Sequence, residues 1–144
     1  MLVVYLELGT FGAIMKFALE IENNVTDFYG KASEQVADQT LKEFLANLVS
    51  RGKKRVQTLE RVRRENVTEM ILEPIEGLDS DSFEIKTDLS QDSDSVKKTA
   101  IEIEKTLLEF YNAAAAKIDF LPEAAYAFEL LAEKNEATVK QLSD

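Results

Sequence analysis

Two glutamates, Glu22 and Glu104, each stand seven residues before a tyrosine, Tyr29 and Tyr111. They sit in the repeated runs Ala18-Leu19-Glu20-Ile21-Glu22, leading to Phe28-Tyr29, and Ala100-Ile101-Glu102-Ile103-Glu104, leading to Phe110-Tyr111. Seven residues make two helical turns, so on a helix each glutamate shares a face with its tyrosine. The rest of that face is apolar. A carboxylate in an apolar stripe is costly unless a cation, a metal ion or a proton meets it. The chemistry open to such a pair is metal ligation or proton sharing, with the tyrosines as hydrogen-bond donors or as redox-active neighbours. The plainer alternative is two polar residues at a helix edge.

Composition narrows the field. The chain has 144 residues, no histidine and no cysteine. That removes imidazole and thiolate ligands, disulfides, cysteine nucleophiles and histidine-based triads. A chain of this length suits one domain that buries roughly 70% of its unfolded surface. Two prolines, five glycines and plentiful alanine, leucine, glutamate and lysine read as all-α. The formal net charge of −10 disfavours nucleic acid and anionic membranes as partners. The apolar run at residues 2–6 stops at Glu7, lacks a basic start, and falls far short of the ~20 residues that span a bilayer. The chain reads as soluble and cytoplasmic. Residues 1–9 form an N-terminal extension that suits either a short strand or packing arm at a subunit contact, or a leader with no fixed place.

Four helical patterns position the glutamates. The first covers 10–36, with Thr10 as N-cap and Ile14, Ala18, Glu22, Val25, Tyr29 and Ala32 on one face. The second covers 38–66, with Leu41, Leu45, Leu48, Gly52, Arg55, Leu59 and Val62 facing inward. A polar corner at Gln39-Thr40 makes these two an antiparallel hairpin. The third covers 93–119, with Ala100, Glu104, Leu107, Leu108, Tyr111, Ala114 and Ile118 inward; after Leu121-Pro122 the fourth covers 122–142, with Phe128, Leu131, Asn135, Thr138 and Leu142. Between the hairpins lies an acidic crossover, 67–92, whose Met70, Ile71, Leu72, Ile75, Leu78, Phe83 and Ile85 predict that it lies on the bundle.

Hairpin, long crossover and hairpin, with the same motif in each half, resemble the ferritin-like superfamily, closest to its rubrerythrin-type branch, over roughly residues 10–142. In metal-binding members, helices one and three each give one inward glutamate, and helices two and four each give a Glu-x-x-His pair. The resemblance implies a dimetal centre with iron, peroxide or oxygen chemistry as the ancestral activity. Carried across by position, Glu22 and Glu104 match the single glutamates, and Tyr29 and Tyr111 match aromatic residues two turns on. The second-helix pair falls on Gly52 and Arg55, in Leu48-Val49-Ser50-Arg51-Gly52-Lys53-Lys54-Arg55. The fourth-helix pair falls on Asn135 and Thr138, in Leu131-Ala132-Glu133-Lys134-Asn135-Glu136-Ala137-Thr138. Both Glu-x-x-His motifs are therefore gone, and two of the six ligands that the resemblance implies remain.

Arg55 brings a fixed positive charge to a ligand position. A guanidinium aimed at both Glu22 and Glu104 leaves one negative charge, which a shared proton or a small hard cation would balance. The expectation is a core polar cluster at the former metal site: Glu22, Glu104, Arg55, Tyr29, Tyr111, Asn135, Thr138 and Gly52, with no catalytic residue and no cofactor. The rival expectation is iron or another divalent ion on Glu22 and Glu104, helped by oxygens of Asn135 and Thr138. Glu133 and Glu136 point about 200° and 100° away from position 135 and do not substitute. The Asp79-Ser80-Asp81-Ser82 run is not a calcium loop, because Glu84 holds the glycine position and no glutamate closes it.

Helix two also carries Arg51, Lys53, Lys54, Arg61, Arg63 and Arg64. This stretch is either a docking surface for an acidic protein partner or a solvated face that pairs with the crossover or with a second subunit. The function expected is non-catalytic binding, assembly or regulation by a homodimer; the alternative is a metal-binding oxidoreductase or iron-handling protein.

Overall fold

The computed structural model describes residues 7–66 and 74–144. Residues 1–6 of the extension, and Met70, Ile71 and Leu72 of the crossover, lie outside these described residues. The described residues form an all-α bundle of four α-helices: α1 (Phe11–Gln35), α2 (Gln39–Glu65), α3 (Ser93–Lys117) and α4 (Pro122–Ser143). Local chemistry sets their starts. Thr10 Oγ1 accepts from the Ala13 N–H at 3.0 Å, Asp38 Oδ1 from Leu41 at 3.1 Å and Asp92 Oδ2 from Ser95 at 3.1 Å, each satisfying a donor that the first turn leaves unpaired. α4 opens instead on Pro122, whose missing N–H costs nothing there.

α1 packs chiefly against α2, and α3 against α4. The inward stripes lie where the periodicity put them, but the buried faces are wider: α1 also buries Phe11, Met15, Ile21 and Phe28, and α4 Ala124, Ala125 and Ala132. Leu108 is only half-buried, whereas Val96, Ile103 and Phe110 are fully buried. The crossover covers Phe110: Phe83 meets it edge to face at 5.3 Å, and Phe110 in turn meets Phe17 of α1 at 5.2 Å. Ile75, Leu78 and Phe83 are buried as their apolar character requires. Asp79, the residue at the head of the rejected calcium run, caps the short 3-10 turn Ser80–Phe83 by accepting from Ser82.

The end of the N-terminal extension has a place. Leu8 N–H donates to Leu78 O at 3.0 Å, Ile75 N–H donates to Gly9 O at 2.9 Å, and Leu8 is buried. This antiparallel pairing ties residues 7–9 to the crossover, which turns at Gly77, where φ is +80°. No helix of the described residues is long and apolar enough to cross a membrane.

At Gly52, α2 lies tight against Thr26 of α1. A β-carbon there would lie 2.1 Å from Thr26 Oγ1, 3.2 Å from Thr26 Cβ and 3.3 Å from Thr26 Cγ2. The overlap with Oγ1 is the severe one, so the threonine would have to leave its place or the helices part. Gly52→Ala is therefore expected to lower stability by about 1–3 kcal/mol as overpacking, despite alanine's better helix propensity, and Thr26→Ala in the same chain should recover most of the loss. Urea unfolding of the two single variants and the double variant measures this coupling; equal effects with and without Thr26 would refute it.

Candidate functional site

The core polar residues assemble into one chain of hydrogen bonds that visits all four helices. It begins on α3, where the Tyr111 hydroxyl donates to Glu22 Oε2 on α1. The Arg55 Nε–H of α2 donates to the same oxygen at 2.9 Å. Arg55 Nη2 donates to Asn135 Oδ1 of α4 at 2.9 Å, and Asn135 Nδ2 donates to Glu104 Oε1 at 2.8 Å. The Tyr29 hydroxyl, back on α1, donates to Glu104 Oε2 at 2.6 Å. Arg55 also reaches Leu131 O at 3.4 Å, and its Cζ lies 5.3 Å from the centre of the Tyr111 ring.

The tyrosines cross over. Each shares a stripe with its own glutamate but sits two turns away, about 10.5 Å along the axis, beyond the reach of a phenol. Tyr29 therefore meets Glu104, and Tyr111 meets Glu22. Glu22, Glu104, Asn135, Tyr29 and Tyr111 are all buried, and the Arg55 side chain is 12% exposed.

Two members of the expected cluster take other parts. The Thr138 hydroxyl, although buried, donates to Lys134 O of its own helix at 3.0 Å and joins no bond of the network. Gly52 has no side chain to contribute and is the seat of Thr26. The guanidinium also touches one glutamate where two were expected. Asn135 stands between Arg55 and Glu104, turning its amide so that the oxygen takes the cation and the nitrogen serves the anion. Sequence reasoning missed the Leu131 carbonyl, since backbone acceptors leave no mark on a residue string. It also missed Thr26, whose Oγ1 is buried without a hydrogen-bond partner among the described residues.

Burial sets the electrostatics. Desolvation raises Glu104 above the ordinary carboxylate range, although the Tyr29 hydrogen bond, the Arg55 charge and Asn135 pull it back. Burial likewise pushes Tyr29 and Tyr111 well above the usual phenol value, and the neighbouring carboxylates add to it. Burial, the largest single influence, would lower Arg55, but the charges of Glu22, Tyr111 and Glu104 and the Glu22 hydrogen bond together outweigh it and hold the guanidinium protonated.

This donor set does not fit a dimetal centre. Among the described residues no group of three or more His, Cys, Asp or Glu side chains could hold a metal ion. Both Glu104 oxygens already accept hydrogen bonds, Arg55 lies against Glu22, and position 52 has no room for a carboxylate. Glu133 and Glu136 are exposed. Beside the cluster, a cavity of about 390 Å³ opens between α2 and α4.

The basic residues Arg51, Lys53, Lys54, Arg61, Arg63 and Arg64 are all exposed. Among the described residues none of them pairs with the crossover; Arg61 faces Glu65 of its own helix at 3.9 Å. In comparisons with protein-family models, curated proteins and solved structures, none matches this chain.

The raised Glu104 fixes the sign of a pH effect. A carboxyl whose folded value lies above its unfolded value, near 4.3, adds stability below that unfolded value, and the contribution is lost as pH rises through the folded value. The stability difference between the native chain and Glu104→Gln should therefore shrink from pH 4 upward in urea unfolding; a pH-independent difference would contradict the assignment. The tyrosines behave alike at alkaline pH. Tyr29 and Tyr111 should ionise only as helical circular dichroism is lost. Absorbance at the phenolate band, followed beside the helix signal, checks this.

Proposed function

We propose that this chain is a ferritin-like protein, related to the rubrerythrin-type branch, in which a closed ionic and hydrogen-bonded cluster stands where that family holds two metal ions. Its role is then non-catalytic: binding, assembly or regulation by a soluble protein. The observation that carries the reading is the seat of Arg55, with Nε on Glu22 at 2.9 Å and Nη2 on Asn135 at 2.9 Å. A fixed cation there occupies the space and the ligand atoms that a metal would need.

The topology is supported by pair levels along the helices. Gly52 faces Thr26 and Gly30 faces Val49, so residue numbers rise on α1 as they fall on α2, the mark of an antiparallel hairpin. The crossed tyrosines put residue 22 level with 111 and 29 level with 104, which sets α1 against α3 in the same sense. With short loops throughout, first and third helices run parallel. Opposed first and third helices call for one connection that travels the bundle's length, and this is the ferritin-like arrangement.

The partner expected for such a protein is a second copy, or an acidic protein at the exposed basic face of α2. Two measurements test the cluster reading. Anaerobic loading with ferrous iron, followed by desalting, metal analysis and an oxygen-uptake assay, should leave no stoichiometric iron and no uptake. Iron held at one or two per chain and lost on Glu22→Ala would overturn the proposal. Arg55→Met should cost about 3–5 kcal/mol, because it strands buried carboxylates that lack any other cation; a neutral result in urea unfolding would mean that something else compensates them.

A further inference from the structure

The cavity beside the cluster has a division of chemistry that the cluster itself does not need. Its inner walls are aliphatic, from Val25, Leu48, Leu107 and Leu131. Its mouth carries Arg51 and Lys54 from α2 and Lys134 from α4, all exposed. Among the described residues, none of these three cations forms an ion pair; Arg51 only lies over the Phe44 ring, 6.0 Å from its centre. Its floor holds Glu22 and Glu104, both buried and already bonded. The Thr26 hydroxyl, without a hydrogen-bond partner among the described residues, lies on the same wall.

We propose that this cavity binds a small amphipathic organic anion, apolar body inward and anionic head at the mouth between Lys54, Lys134 and Arg51. The orientation follows from charge. An anion pushed to the floor would meet two carboxylates, whereas at the mouth it meets three cations in a chain whose overall charge is −10. An organic cation or a metal ion would have to pass those same three charges. The size fits: about 390 Å³ lies at the small end of ligand pockets, which run from roughly 300 to 1,000 Å³. A medium-chain carboxylate is the simplest molecule with this chemistry, and the aliphatic walls ask for no aromatic ring. The inference rests on the cluster reading in one respect, that Arg55 keeps the floor closed.

Octanoate, octylamine and octanol, each titrated calorimetrically into the native chain, test it. Octanoate should bind saturably at one per chain, with octanol and octylamine at least tenfold weaker. Ala137→Phe changes an exposed residue of α4 that lines the cavity, so it should block the cavity with the fold intact by circular dichroism. Both it and the pair Lys54→Glu with Lys134→Glu should weaken octanoate at least tenfold. No saturable octanoate binding at millimolar concentration, equal binding of octanol, or unchanged binding by the folded variants would overturn the proposal. So would salt-sensitive binding of poly-glutamate in place of octanoate, which would assign the cations to a protein partner. Iron analysis on the same preparations separates the two readings. Retained iron beside saturable octanoate overturns the cluster alone, and absence of both overturns the anion site alone.

Discussion

One guanidinium holds this bundle's polar centre together. Arg55 reaches from α2 to Glu22 on α1 and Asn135 on α4, so a single side chain bonds to two other helices at one level. Arginine suits this because its planar fork presents donors in fixed directions and stays charged when buried. Everything else in the cluster extends the same constraint: Asn135 relays it to Glu104, and the two tyrosines close the far ends. Such clusters add little to stability beside a well-packed apolar core, but a misplaced helix would leave several buried polar groups unpaired at once. The arrangement therefore penalises wrong register far more than it rewards the right one.

The packing around the cluster follows from what that centre demands. α1 and α2 must come close for Arg55 to reach Glu22, and the approach is made possible by a glycine where a side chain would strike Thr26. Gly52 and Thr26 also line the cavity that opens between α2 and α4. On the opposite side the bundle is sealed by a different device. The crossover lays Phe83 on Phe110, and Phe110 lies against Phe17, joining an irregular segment to both halves through aromatic edges. The pairing of residues 7–9 with this same segment adds backbone hydrogen bonds where no helix reaches.

Much of this was legible in the residues. Helical periodicity named the faces, and the repeated Glu-to-Tyr spacing named the four residues that end the polar chain, because seven residues bring a side chain back to its own stripe. Register carried Arg55 and Asn135 inward by the same logic. Periodicity says which face a residue occupies; it says nothing about which helix lies opposite or at what level. For that reason the crossing of the tyrosines, the interposition of Asn135 and the detachment of Thr138 needed coordinates. The full burial of Phe110 was hidden for another reason: Phe83 of the crossover covers it. Gly52 read as a lost ligand, and its actual work, admitting Thr26, is a contact between two helices that no spacing within either one encodes.

The exchanged phenols bear on autonomy. Taken by itself, the first hairpin would keep Glu22 with Arg55 yet strand the hydroxyl of Tyr29, and the second would keep Glu104 with Asn135 while losing the guanidinium and the Tyr29 phenol and stranding the hydroxyl of Tyr111. Neither portion is a finished module. Although the two carry the same motif, each is completed only by the other, so the duplicated halves are interlocked rather than merely adjacent, and neither can be released, replaced or doubled without undoing the other's interior.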